Sequence, residues 1–176
     1  MLSVDFCQTP PQVWTALLEK CPIDKDEVFY EPFKGVGNLY NQVQTNKKYF
    51  SEINEGLDAA LFNYETNNDI TVIYTNPPFK CELTNKKGIK KIKNCVYYWL
   101  EFFMQKCVSL KKIGFLMNTA CLQSLTPKRL KKLDELGFSI TKIIVLNIQI
   151  WFGRYYWVLF EKNQTNKLVE YIADYF

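Results

Sequence analysis

The sequence predicts an α/β fold: a mostly parallel, twisted sheet flanked by helices, with an antiparallel hairpin at its C-terminal end. Three observations predict it. An apolar strand, Val28 to Tyr30, runs into a loop with glycines at 35 and 37, where the backbone can turn tightly and approach a ligand closely. A second apolar run, Ile70 to Tyr74, breaks at Asn76-Pro77-Pro78-Phe79; the prolines remove two backbone donors and fix two φ angles, so no strand continues through them. Two strands, Ser139 to Asn147 and Tyr155 to Glu161, then close the chain and would add an antiparallel edge to the sheet.

Composition narrows the classes. A chain of 176 residues is read as one domain, residues 1–176, long enough for a single buried core. Hydrophobic residues make up 48% and aromatics 16%, which excludes a disordered tail and places some rings in a site rather than the core. The net charge of +4, from 22 basic and 18 acidic residues, permits a nucleic-acid partner without demanding one. Six cysteines (7, 21, 81, 95, 107 and 121) form no Cys-x-x-Cys pair, and there is no histidine. No metal is therefore expected, and the commonest general acid–base chemistry is excluded. With no signal peptide and no membrane-length apolar run, the expected setting is reducing and intracellular: cytoplasmic or nuclear, or the host cytoplasm for a viral chain.

Taken in order, Thr9 is placed as the N-cap of an opening helix with Pro10 at its first position and Val13, Trp14, Leu17 and Leu18 as its apolar stripe. The strand Val28–Tyr30 leads into Glu31-Pro32-Phe33-Lys34-Gly35-Val36-Gly37-Asn38. Lacking a third glycine and any Gly-Lys-Ser/Thr, this loop is neither a dinucleotide fingerprint nor a P-loop. A strand from Lys47 to Ile53 carries Glu52 at its end. Glu52 follows the glycines at about the twenty-residue spacing of a carboxylate that accepts ribose hydroxyls, a solvated charge being the alternative. Glu55 to Phe62 is a short helix or a turn into a brief strand.

After Phe79, Lys80 to Lys93 reads as a loop with lysines at 80, 86, 87, 90, 91 and 93: a phosphate-contacting surface or merely a solvated one. Cys95 to Val108 is a helix whose Val96, Trp99, Leu100, Phe103 and Cys107 are core. A strand follows from Ile113 to Met117. Thr126-Pro127 opens a helix that runs through Leu136 and stops at Gly137, its outward lysines and Arg129 forming a solvated face. The loop between the last two strands holds Trp151 and Phe152, and a short polar tail with a helix candidate ends the chain.

The stiff turn at Asn76 holds one amide in one orientation beside an aromatic, able to grip a planar group that carries an amino function. Asn76-Pro77-Pro78-Phe79 resembles the Asn/Asp/Ser-Pro-Pro-Tyr/Phe/Trp hallmark of amino-group methyltransferases that use S-adenosylmethionine. The opening segment, glycine loop and acidic strand end stand in the order of that family, so the resemblance covers about residues 5 to 161; Lys34 departs from the small residue usual there.

This resemblance implies a Rossmann-like class I methyltransferase fold. It implies S-adenosylmethionine as cofactor, met by Gln8, Thr9 and Pro10 at its methionine end, by the loop residues Glu31, Pro32, Phe33, Gly35, Gly37 and Asn38, by Glu52 and Ile53, by Asp58 at its adenine, and by Asn76. Glu31 would face the sulfonium. The implied reaction is methylation of the adenine N6 amino group: Asn76 and the Pro77 carbonyl accept its hydrogens, Pro78 stiffens the turn, and Phe79 stacks on a base flipped out of duplex DNA. The closing hairpin resembles that of the family, whose loop can supply an aromatic to the other side of the base. Trp151 and Phe152 are the candidates, an aromatic hairpin packed on a helix being the alternative. Lys86, Lys87 and Lys90 are candidate substrate contacts by their place after the turn. DNA is the first substrate, then RNA, then a protein glutamine; a silent subunit of a methyltransferase complex is the alternative from another class. No separate target-recognition domain is expected, so either a partner subunit or a second copy supplies recognition, or specificity is slight, or the substrate is RNA, whose single-stranded bases are already exposed.

Overall fold

A computed structural model describes residues 8–85, 88–92 and 95–164, with the backbone alone for 81–92. Its strands are β1 (Val28–Glu31), β2 (Lys47–Phe50), β3 (Val72–Thr75), β4 (Cys81–Asn85), β5 (Gly88–Ile92), β6 (Lys112–Asn118), β7 (Phe138–Leu146) and β8 (Tyr155–Lys162). The helices are α1 (Pro11–Lys20), α2 (Val96–Lys106), α3 (Thr119–Gln123) and α4 (Pro127–Glu135). Six strands form one sheet in the order β2-β1-β3-β6-β8-β7. The first four are parallel, and β8 runs antiparallel to both β6 and β7. This is the α/β arrangement the sequence predicts.

Burial follows the period-two alternation of strand side chains. Tyr30, Ile73, Phe115, Met117, Val158 and Phe160 point to the face covered by α2, α3 and α4, with Trp99, Leu100, Phe103, Cys121 and Leu133 from those helices. Phe29, Val72, Tyr74, Leu116, Trp157 and Leu159 point the other way, onto Trp14 and Leu17 of α1. All four residues of β3 are buried, as expected of a central parallel strand covered on both sides.

Several boundaries differ from the sequence reading. Pro10, not Thr9, is the N-cap, so α1 starts one residue later; the Thr9 side chain is engaged elsewhere. The expected strand to Ile53 stops at Phe50, because the Glu52 carboxylate accepts from Asn54 N and caps a 3-10 turn over Ile53–Glu55, closed by Gly56 at φ +76°. Strand–helix alternation fails between β1 and β2: glycines at φ +56° and +85° interrupt residues 32–46, which form turns that bury Leu39 and Val43 in place of a helix. The expected lysine loop is a hairpin, β4 pairing with β5 from Cys81↔Ile92 to Asn85↔Gly88; Leu83, Thr84, Ile89 and Ile92 favour strand, and the charge pattern hid it. Helix α3 was not foreseen; Asn118 caps it by accepting from Cys121 N at 2.8 Å.

One glycine is dictated by packing. A Cβ on Gly114 would lie 2.1 Å from Trp157 Cζ2. The fully buried Trp157 ring cannot retreat, being edge-on to Trp14 at 5.8 Å and Tyr74 at 4.9 Å. Gly114→Ala is expected to lower stability by about 1–3 kcal/mol in urea unfolding. Trp157→Phe in the same chain should return part of that loss through direct coupling; purely additive losses would contradict the contact.

Candidate functional site

After β1 the chain moves to β2 on one side of the sheet, while β3 and β6 lie on the other. Such a reversal opens a crevice outside the carboxyl ends of the two strands at the switch point, here β1 and β3. Glu31 ends β1 and Asn76 follows β3, so the sheet brings together two residues 45 positions apart in the chain.

The opening segment ties the motifs to one another. Gln8 Oε1 accepts from Val36 N at 3.3 Å, and the Thr9 carbonyl accepts from Asn38 Nδ2 at 2.9 Å. Asn76 Nδ2 donates to Thr9 Oγ1 at 3.2 Å. Thr9 is thus buried between the glycine loop and the Asn-Pro-Pro-Phe turn, and its hydroxyl tethers the Asn76 amide. Gly35 is favoured by its left-handed φ of +56°; the Gln8 side-chain amide fills the place a Cβ would take, 2.6 Å away.

Two carboxylates border the loop in different states. Glu52, 7% exposed, accepts from Gly35 N at 2.6 Å through Oε2, and from Asn54 N and Nδ2 at 3.1 and 3.0 Å through Oε1. Glu31, 2% exposed, keeps its Oε2 buried without a hydrogen-bond partner. Burial pushes the Glu31 carboxyl well above its ordinary value of 4.5, against the opposing pull of the Tyr40 backbone N–H and the Lys34 charge. Lys34 itself pairs with Glu55 at 2.5 Å and lies over the Phe50 ring. A buried carboxyl oxygen without a donor suits a ligand that brings a cation or a donor of its own.

The catalytic candidates are anchored from below. Pro77 is buried, and Phe79 is half-buried against the α2-side core. Cys95, fully buried at the start of α2, donates its thiol to the Pro78 carbonyl at 3.0 Å and its N–H to the Phe79 carbonyl at 3.1 Å. Sequence reasoning missed Cys95 as a support, and no spacing or composition signal marks it.

Other candidates scatter more. Phe33 packs edge-on to Trp99 at 5.0 Å, with Pro32 buried beside it. Pro10 is half-buried. Ile53 is exposed beside Glu52, and Asp58 Oδ1 accepts from Ala60 N at 2.8 Å. Trp151 rests on Tyr155 at 4.7 Å, whereas Phe152 is fully exposed. Tyr155 pairs with Asn118, the last residue of β6, so the 147–154 loop lies at the same sheet edge as Asn76. Lys86 and Lys87 fall outside the described residues; Lys90 belongs to β5 by its backbone. Among the described residues no group of three or more His, Cys, Asp or Glu could hold a metal, and no helix is long and apolar enough to cross a membrane.

No protein-family model and no curated protein matches the sequence. Solved structures match the fold. The modification subunit of a candidate type I restriction enzyme from Vibrio vulnificus aligns over 89% of this chain and 44% of its own, at 16% identity and a TM-score of 0.60. A candidate class I S-adenosylmethionine-dependent methyltransferase from Listeria monocytogenes aligns over 99% and 66%, at 13% identity and 0.65. A candidate RNA methyltransferase from Pyrococcus horikoshii aligns over 88% and 85%, at 15% identity and 0.58. The chain therefore has the class I methyltransferase fold, and it spans less than two thirds of the first two of these proteins.

The state of Glu31 gives a stability test. A carboxyl whose folded-state pKa is raised binds more protons folded than unfolded, so stability is fully present below pH 4.5 and is lost as pH rises towards the folded value. Glu31→Gln removes that loss. In urea titrations the stability of Glu31→Gln relative to the native chain is expected to rise with pH above 4.5; a pH-independent difference would show that Glu31 does not carry the shift.

Proposed function

We propose that this chain is an S-adenosylmethionine-dependent methyltransferase acting on the exocyclic N6 amino group of adenine, in DNA. One observation carries the reading: the Asn76 amide, bonded to Thr9 just past the end of β3, stands at the switch point with a buried carboxyl at the end of β1 that has one oxygen without a donor. The shared fold with methyltransferases supports it, as does the order of the sequence motifs.

The residues at the switch point fit this cofactor. Glu31 offers a carboxylate to a positively charged ligand. Glu52 accepts ribose hydroxyls; Gly35 N and the two Asn54 donors fill three of its about four acceptor sites, so admitting both hydroxyls exchanges an Asn54 bond on Oε1. Gly35 and Gly37 bring the backbone close, and Ile53 and Asp58 border the nucleoside half. Bound S-adenosylmethionine supplies an electrophilic methyl group, already activated by its sulfonium charge.

The rest falls to positioning and electrostatics. An adenine amino nitrogen is a weak nucleophile because its lone pair is delocalised into the ring. Asn76 Nδ2 donates to Thr9, and in this orientation Oδ1 serves as the acceptor. Together with the Pro77 carbonyl, it takes the two amino hydrogens and favours a pyramidal nitrogen. Phe79 stacks on the base, held at its carbonyl by Cys95. In a duplex the adenine must first leave the stack. Exposed Lys80 follows Phe79 and leads into the β4–β5 hairpin that carries Lys90; with the exposed Phe152 these residues suit a nucleic acid.

Labelled S-adenosylmethionine offered with duplex DNA, single-stranded DNA, structured RNA or protein extract tests the assignment. N6-methyladenine in DNA is expected; label in RNA or in protein glutamine would overturn the DNA reading. Asn76→Ala should lower transfer on the order of 10²–10³-fold while leaving cofactor affinity nearly unchanged. Retained transfer would remove Asn76 from the reaction.

A further inference from the structure

Beneath the nucleoside half of the crevice lies a chain of buried hydroxyls that the reaction does not use. Tyr64 Oη donates to the Ala59 carbonyl at 2.6 Å. Tyr30 Oη lies 3.4 Å from Tyr64 Oη and 2.8 Å from Ser51 Oγ. Each hydroxyl has one proton, which settles the direction. Tyr64 spends its proton on Ala59, so at Tyr30 it accepts; Tyr30 then donates to Tyr64 and accepts from Ser51. The order is Ser51 to Tyr30 to Tyr64 to the Ala59 carbonyl.

All four residues are buried: Ser51 1%, Tyr30 0%, Tyr64 8% and Ala59 3% exposed. Phe62 stacks on Tyr30 at 4.6 Å, and Phe102 meets Tyr64 edge-on at 5.6 Å. A dry aromatic shell strengthens such bonds and makes any one of them costly to lose. Burial pushes both phenols above their ordinary range, so the chain keeps its protons across the working pH.

Its two ends carry the meaning. Ser51 directly precedes Glu52, and Ala59 directly follows Asp58. Ser51 also bonds by its backbone to the Glu31 carbonyl at 2.9 Å and to Lys34 N at 3.0 Å, joining β1 and the glycine loop at one point. We propose that this hydroxyl chain is a positioning device that sets the spacing of Glu52 and Asp58, and so the fit of the adenosine half of the cofactor. Tyr64, Tyr30 and Ser51 are positioning residues that touch no ligand. The inference rests on the proposed cofactor site and adds three residues to it.

Titration calorimetry with S-adenosylhomocysteine, together with kcat and KM for methyl transfer, tests it. Tyr64→Phe keeps the ring and removes the proton; Kd and KM for the cofactor should rise about five- to thirtyfold, with kcat at saturation within about twofold. Ser51→Ala, cutting the other end, should give the same pattern and carries the test if Tyr64→Phe fails to fold. Tyr74→Phe is the control, since Tyr74 Oη is buried on the opposite face without a hydrogen-bond partner; its affinity should match the native chain. Native-like affinity in both Tyr64→Phe and Ser51→Ala would overturn the device, as would an equal loss in Tyr74→Phe. No binding by the native chain would instead overturn the cofactor site itself.

Discussion

The fold depends on a strand that must stop. β3 is buried on both faces between β1 and β6, and it cannot run on because Pro77 and Pro78 supply no backbone donors. The break falls where the chain has already diverged to the two sides of the sheet. A stiff turn therefore stands at the mouth of the crevice, and Thr9 from before α1 and Cys95 from the start of α2 both lock onto it. Segments distant in sequence converge there because β3 has neighbours on both sides and its end is the one edge they all reach.

The two acidic residues at that mouth divide the electrostatic work. Glu52 is built into the loop, its oxygens taken by Gly35 and Asn54, so it shapes the glycine turn before any ligand arrives. Glu31 is the strained partner: buried, donorless on one oxygen and pushed towards its neutral form. Folding tolerates that cost because β1 is paired on both sides. A positively charged ligand would relieve it, which makes binding and charge compensation one event.

Strands and motifs were legible in the sequence because their signals are local. Val28–Tyr30, the strand before Asn76, and the closing hairpin each declare themselves by apolar runs and by glycine or proline punctuation. What stayed hidden depends on contacts across the chain. Thr9 read as a helix cap because its true partners, Asn38 and Asn76, lie 29 and 67 positions away. The β4–β5 pairing was masked by lysines that read as loop. Gly114 looked unremarkable until Trp157 filled the place of its Cβ. Nothing local distinguishes Cys95, or the Ser51–Tyr30–Tyr64 chain, from ordinary core.

The central claim is that the β1/β3 switch point is the cofactor site, and a crystal structure of the protein with S-adenosylhomocysteine tests it most directly. The account predicts the nucleoside between Glu52 and Asp58, with an Asn54 bond exchanged for a ribose hydroxyl and the amino-acid end reaching Glu31 and the Thr9–Asn76 pair. A ligand seated elsewhere on the sheet, with Glu52 still bonded to Gly35 and Asn54 alone, would contradict it.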